Sequence, residues 1–282
     1  MHDPVLIRGA RVPELPLVLD SPHSGNRFPE DFAAAVTEHE LRDGEDCYVD
    51  ELFGAGVELG APLLAAQFPR TYIDPNRHPG DVDPDLIEGF SETDWPWGYR
   101  PSGKARIGKS LIWRTLDDGR PIYTRRLSMA ELRQRVERYH APYHAALREL
   151  LDAAHARHGR VYHINCHSMK SVAGKQSDDG EGALRPDFVL GDRDGSSCAA
   201  AFTECVRAAL AGQGYKVKVN DPYKGVELVR AYADPAAGRH SLQVEINRRL
   251  YMDESTYQKY AGFEALKTAL TRMLRSVAAF VA

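Results

Sequence analysis

The chain has 282 residues, 43% apolar and 27% charged, a globular composition that excludes disordered and fibrous classes. Lys and Arg number 36 against 40 Asp and Glu, for a net charge of −4. With no basic block in the mixture, nucleic acid and anionic membrane gain no electrostatic support as partners.

Leu17-Val18-Leu19 running into Asp20 to Gly25 reads as a short buried strand breaking into a polar turn. Pro29 suits the first turn of a helix reaching Val36. Val49, Leu52, Phe53, Gly56 and Val57 fall on one helical face, stopped by Gly60-Ala61-Pro62, and Leu63 to Phe68 reads as another strand. From Pro69 to about Arg125 periodicity disappears; so long a segment is expected to cover a site, with short strands of its own. Ser128 to His158 is the clearest helix, capped by Ser128 with Glu131, closed by Gly159 and kinked or divided by Pro142. Strand Val161 to Cys166, a Gly- and Asp-rich loop at 174–182 and strand Phe188 to Leu190 follow. Helix Ser197 to Leu210, strands Tyr215 to Val219 and Ser241 to Ile246, and a helix from about Glu254 to Phe280 complete the chain. The pattern predicts an α/β fold with a mixed, mostly parallel sheet flanked by helices. No linker or composition shift divides the chain, so one domain over 1–282 is expected.

No apolar run reaches the ~18 to 20 residues of a membrane helix, and the first residues lack the layout of a secretory signal. A cytoplasmic location is expected. Cys47, Cys166, Cys198 and Cys205 form no CxxC pair, so buried free thiols are expected in place of disulfides or a thiolate zinc site.

In open α/β sheets ligands sit beyond the carboxyl ends of the strands. That rule collects His23; Arg70, Asp74, Asn76 and Arg77; His167; and Glu245, Asn247 and Arg248. A catalytic zinc takes three protein ligands and leaves a position for water. His23 and His167 are candidates for two of them. Asp46 and Asp50, on one side of the intervening helix beside its apolar face, are candidates for the third, the other then orienting a histidine. The bland alternatives are hydrogen-bonded histidines and a solvated acidic face. Glu245 is a candidate general base, although strand alternation leaves open whether it faces the cleft or solvent. Arg70, Arg77, Arg230 and Arg248 are candidate clamps for a small anionic substrate. No GxSxG, GxGxxG or GxxxxGK[ST] occurs where nucleophile-elbow or nucleotide chemistry needs it.

Pro22-His23-Ser24-Gly25, Asp46 to Leu52, Phe68 to Arg77, Cys166-His167-Ser168-Met169, Asp187 to Arg193, Asn220 to Gly225 and Gln243 to Arg248 together resemble the N-formylglutamate amidohydrolase family, in order over most of the chain. The resemblance implies a fold similar to zinc carboxypeptidases, with a mixed eight-stranded sheet. It also implies zinc-dependent hydrolysis of N-formyl-L-glutamate to formate and L-glutamate in histidine degradation. His23 and His167 resemble the two histidine ligands, Glu245 the general base, and Asn76-Arg77 the carboxylate-binding pair. The peptidases place their acidic ligand three residues after the first histidine, where this chain has Asn26, so Asp46 or Asp50 must serve. Two further readings are a related metallo-deacylase or carboxypeptidase acting on another small acidic N-acyl amino acid, and a non-catalytic protein that binds acidic ligands.

Overall fold

Short apolar runs become the buried strands of a single main sheet. In the computed structural model, which describes residues 3–282 except 176 and 178, the strands are β1 (Val5–Arg8), β2 (Leu17–Ser21), β3 (Leu63–Ala66), β4 (Ile87–Glu88), β5 (Leu127–Ser128), β6 (Val161–Met169), β7 (Phe188–Gly191), β8 (Val217–Val219) and β9 (Arg239–Asn247). Among the described residues the main sheet has seven strands in the order β1-β3-β2-β6-β9-β7-β8, and β4 with β5 forms a separate parallel pair. The implied eighth strand of the main sheet is absent among the described residues. The four central strands β3, β2, β6 and β9 run parallel, whereas β1 and β7 pair antiparallel with β3 and β9. The fold is therefore α/β with a mixed, mostly parallel sheet.

Period-2 alternation divides the core between the two faces. Leu17, Leu19, Ile164, Cys166, Leu242, Val244 and Ile246 pack on one side with α5 (Ala200–Ala211) and α7 (Gly262–Val281). Phe263, Leu266, Leu270, Met273, Leu274 and Val277 give α7 its buried stripe at helical spacing. On the other side Val18, Leu64, Ala66 and Val161 meet α3 (Met129–Arg135), α4 (Ala141–His158) and the apolar residues of the long excursion. That excursion holds Tyr72, Ile73, Leu111, Ile112 and Trp113 in the core. Cys47, Cys166 and Cys198 are buried free thiols, and Cys205 is half-buried.

Several boundaries move for identifiable reasons. Ser128 and Glu131 form the expected capping box and Gly159 closes α4 in the left-handed region. Between α3 and α4 a π-helical turn, Val136–His140, delivers Pro142 to the first turn of the second helix, where its missing N–H is harmless. The helix expected through Val36 shrinks to a 3-10 turn, Glu30–Phe32, ended by Ala33 at φ 47, and Thr37 caps a new short helix, α1 (Glu38–Leu41). The final helix starts at Gly262, not near Glu254, because the Asp253 side chain captures the amides of Ser255 and Thr256 at 2.8 and 2.9 Å in a turn. Of the expected loop at 174–182, residues 176 and 178 lie outside the described residues. Strand β1 and helix α6 (Glu227–Tyr232) were not expected from the sequence.

Candidate active site

The carboxyl ends of β2, β3, β6 and β9 converge, and the residues that follow or end these strands meet there. Strand β6 runs past Cys166 to Met169, so His167 sits on the strand, with His163 and Asn165 on the same face. In the β6/β9 register His167 stands opposite Glu245, Asn165 opposite Gln243 and His163 opposite Ser241. Leu242, Val244 and Ile246 take the opposite face, in the core with α7. Glu245 therefore lies on the histidine side of the sheet. Alternation within one strand had left that undecided.

His23 comes from the loop after β2. The loop runs so close to the neighbouring backbone that a Cβ on Gly25 would lie 2.5 Å from the Gln67 carbonyl carbon and the Phe68 carbonyl oxygen. Asp46 approaches on the adjacent segment, its amide donating to the His23 carbonyl at 2.9 Å. It is not on a helix: α2 (Val49–Leu52) begins after Tyr48, whose φ of 63 turns the chain. The i, i+4 relation predicted for Asp46 and Asp50 therefore does not hold. Asp50 points away to Arg8, which it meets at 2.5 Å. Only Asp46 of the two aspartates joins His23 and His167, the ligating atoms of the three lying within 4.8 Å of one another.

Hydrogen bonding fixes the state of both imidazoles. The Nε2 of His23 lies 2.7 Å from Asp74 Oδ1, an acceptor, and therefore carries the ring proton. His167 Nε2 lies 2.7 Å from Asn165 Oδ1, whose orientation is set because Asn165 Nδ2 donates to Asp20 at 2.7 Å. Asn76 Nδ2 is a more distant neighbour of that nitrogen, at 3.2 Å. Both Nδ1 atoms thus present lone pairs, and they face the same oxygen, Asp46 Oδ2, at 3.3 and 3.0 Å. Two lone pairs against a carboxylate oxygen repel unless a cation lies among them. All three side chains are buried. The donor set, with its N–H groups anchored on the far side, fits a divalent metal.

The surrounding polar groups are as tightly assigned. Asp74 accepts from His23, from the Asn76 amide at 2.8 Å and from Arg70 at 2.7 Å. Burial would raise its pKa, but the Arg70 charge, then His23, hold it well below the usual carboxylate range. Burial lowers His167 and, with Asp46 nearby, pushes Glu245 well above its usual value. Gln243 Nε2 donates to Glu245 Oε1 at 2.8 Å. Beneath them lies a buried chain in which Asp20 accepts from Tyr143, His163 and Asn165 at 2.6, 2.8 and 2.7 Å.

The candidate clamps separate into groups. Arg248 is buried, its three nitrogens donating to Asp46 Oδ1 at 3.2 Å, Ser168 Oγ at 3.1 Å and the Asp43 carbonyl at 3.1 Å. It orients Asp46, with one N–H on each terminal nitrogen still uncommitted where it lines the cavity above these groups. Asn76 braces the scaffold, its Oδ1 accepting from the Leu228 amide at 2.9 Å. Arg230 pairs with Glu227 on exposed α6. Arg77 donates from Nε to the Lys109 carbonyl at 3.2 Å, and its terminal nitrogens have no partner among the described residues. Arg70 keeps one nitrogen beyond its two-point contact with Asp74.

Above these groups opens a cavity of about 240 Å³ whose lining includes seven cationic side chains and two aspartates. The excursion contributes Arg70, Arg77, Lys104, Lys109, Trp113 and Asp117 to its walls, which is the site-covering role expected of it. The sequence reading missed Lys109, Asp117, Lys170, Arg185 and Tyr223 as site residues. None directly follows a long apolar strand except Lys170, which comes immediately after β6.

The N-formylglutamate amidohydrolase family model matches residues 15–252. The chain belongs to this family. It is 32% identical over 94% of both chains to N-formylglutamate deformylase of Pseudomonas aeruginosa, and 29% identical to the deformylase of Pseudomonas putida over 94% of this chain and 93% of that protein. The crystal structure of N-formylglutamate amidohydrolase from Ralstonia eutropha JMP134 superposes with a TM-score of 0.92 at 44% identity, covering 99% of each chain. A gene product of Agrobacterium tumefaciens shares the fold, with a TM-score of 0.64 at 17% identity. No helix among the described residues is long and apolar enough to cross a membrane.

Proposed function

We propose that this protein is a zinc-dependent amidohydrolase that cleaves N-formyl-L-glutamate to formate and L-glutamate, the step that the family resemblance assigns to histidine degradation. One observation carries the metal part. Two imidazoles whose Nε2–H groups are anchored turn bare Nδ1 atoms on one carboxylate, which Ser168 and Arg248 connect to the wall of a cationic cavity. A divalent ion held by His23, Asp46 and His167 supplies polarisation of the formyl carbonyl and acidification of a water molecule.

The chain's own residues do the rest. Glu245 stands opposite His167 in the register, and with Oε1 engaged by Gln243 its other oxygen remains to take a proton from the attacking water and return it to the departing amide nitrogen. Arg77, held by its Nε, offers its terminal fork to a substrate carboxylate. The remaining Arg70 nitrogen can donate to the oxygen on which charge develops as water adds. Cavities that take drug-sized ligands run from ~300 to 1,000 Å³. The smaller cavity here, about 240 Å³, matches a compact dianion better than a peptide.

The test is formate release from N-formyl-L-glutamate by the purified protein, before and after chelation and with zinc restored. His167→Ala is expected to lose both the zinc and the activity, because a three-ligand site rarely survives the loss of one ligand. Full formate release by the chelated protein would refute the proposal.

A further inference from the structure

The cavity holds a second charged group that the proposed reaction does not use. Lys109 Nζ lies 2.8 Å from Asp117 Oδ1, and Lys170 Nζ lies 2.8 Å from Asp117 Oδ2. One carboxylate is thus gripped by two ammonium groups, one on each oxygen. Lys109 comes from the excursion and Lys170 from the end of β6, so the grip closes from two separate parts of the fold.

Both lysines connect to the reacting centre through short chains of contacts. Lys109 Nζ sits 3.6 Å from the centre of the Trp113 ring, and the Arg70 guanidinium, which holds Asp74, lies 4.9 Å from the same ring. Lys170 also meets the Asp43 carboxylate at 2.6 Å, while the Asp43 carbonyl receives Arg248, the residue that holds Asp46.

The two sides of this contact differ in exposure. The Lys109 side chain is only 7% exposed, whereas that of Asp117 is 43% exposed and sits beside a turn closed by the Leu116 carbonyl and the Gly119 amide. Asp117 is the partner that can turn to water once another carboxylate takes its place, because its own side chain is already half in solvent. Lys109 cannot, because a buried ammonium needs an anion beside it.

We infer that Lys109 and Lys170 form the subsite for the side-chain carboxylate of the substrate, and that Asp117 is its resident occupant, displaced when that carboxylate binds. The inference rests on the N-formylglutamate reading and deepens it by assigning the second negative charge. It makes the lysine pair the element that selects a dianionic N-acyl amino acid over an uncharged isostere.

N-formyl-L-glutamine is that isostere, and the readout is the ratio of kcat/KM for the glutamate over the glutamine compound. Lys170→Met is expected to lower this ratio several-fold, up to about tenfold, as loss of a half-buried charge contact does. Lys170→Gln serves as a second variant should Lys170→Met fail to fold. Asp117→Asn is expected to raise the ratio a fewfold, since the occupant no longer competes with full charge. Equal changes on both substrates in the Lys170 variants, or a ratio that falls in Asp117→Asn, would overturn the inference. Calorimetric titration with L-glutamate and L-glutamine decides the subsite without turnover. A preference for glutamate in the wild-type protein that vanishes in Lys170→Met supports it, and no such preference rejects it. Lack of turnover on any N-formyl amino acid refutes the proposed reaction alone.

Discussion

Asp74 is the residue on which most of the site's orientation depends, and Asp74→Asn tests the lone-pair argument directly. Oδ1 accepts from His23 Nε2 and from the Asn76 amide, and Oδ2 accepts from Arg70. An asparagine has one acceptor oxygen. If that oxygen stays with His23 and Asn76, the new NH2 faces the Arg70 guanidinium, donor against donor. If it turns to Arg70, the NH2 faces two N–H groups, and His23 relieves the clash only by moving its proton to Nδ1, where it blocks the metal. Either orientation leaves the half-buried Arg70 guanidinium without its charge partner, which costs about 1 to 3 kcal/mol. At ~2 to 4 °C per kcal/mol for a chain of this size class, the metal-free protein is expected to melt about 5 °C lower. Losing the carboxylate behind a metal-binding histidine costs about 10- to 100-fold in affinity. The assays are thermal denaturation of the metal-free protein and a competitive chelator titration with zinc. An Asp74→Asn protein with wild-type melting temperature and zinc affinity would refute the assignment of His23 Nδ1 as a ligand atom.

Three further outcomes follow from the geometry. Glu245→Gln retains size and the strand position but removes the base, so kcat is expected to fall about 10²- to 10⁴-fold while zinc content holds; loss of zinc would make Glu245 a ligand, and undiminished turnover would remove it from the chemistry. Gly25→Ala places a methyl group 2.5 Å from the Gln67–Phe68 backbone, and is expected to cost about 1 to 3 kcal/mol of stability in denaturant titration and to displace His23; an unchanged midpoint would show that the loop yields freely. Burial, and for His140 the adjacent His144, pushes His140 down to about 3 and His144 to about 4, and their Nε2–H groups donate to the carbonyls of Arg77 and Pro75 at 2.9 and 2.8 Å. Their unfolded forms take up protons near 6.5, so stability is expected to be complete above that pH and to fall progressively toward pH 4; a melting temperature flat across that range, or a His140→Gln/His144→Gln protein with the same slope as wild type, would contradict the neutral assignment.

Much of this site was legible in the sequence because it obeys local rules. Buried apolar strands end where polar residues begin, so His23, Arg70, Asp74, Asn76, Arg77, His167 and Glu245 could be collected by position alone. Capping chemistry marked Ser128 and Gly159, and short apolar runs placed the strands of an α/β sheet. What the sequence left open depends on atoms that are distant along the chain. Asp46 and Asp50 are equivalent as letters four residues apart, and the left-handed turn at Tyr48 together with Arg8, some forty residues earlier, sends them in opposite directions. The facing of Glu245 is a matter of register with β6, and register is set by the packing of whole sheet faces. Arginine forks look alike in a sequence, yet every Arg248 nitrogen already meets Asp46, Ser168 or Asp43, whereas the terminal nitrogens of Arg77 have no partner among the described residues. The lysine pair around Asp117 carries no local signal, because it forms only when the excursion folds back over the end of β6. Sequence fixes which groups are available at the strand ends, while long-range packing decides which charges neutralise one another and which remain to meet a substrate.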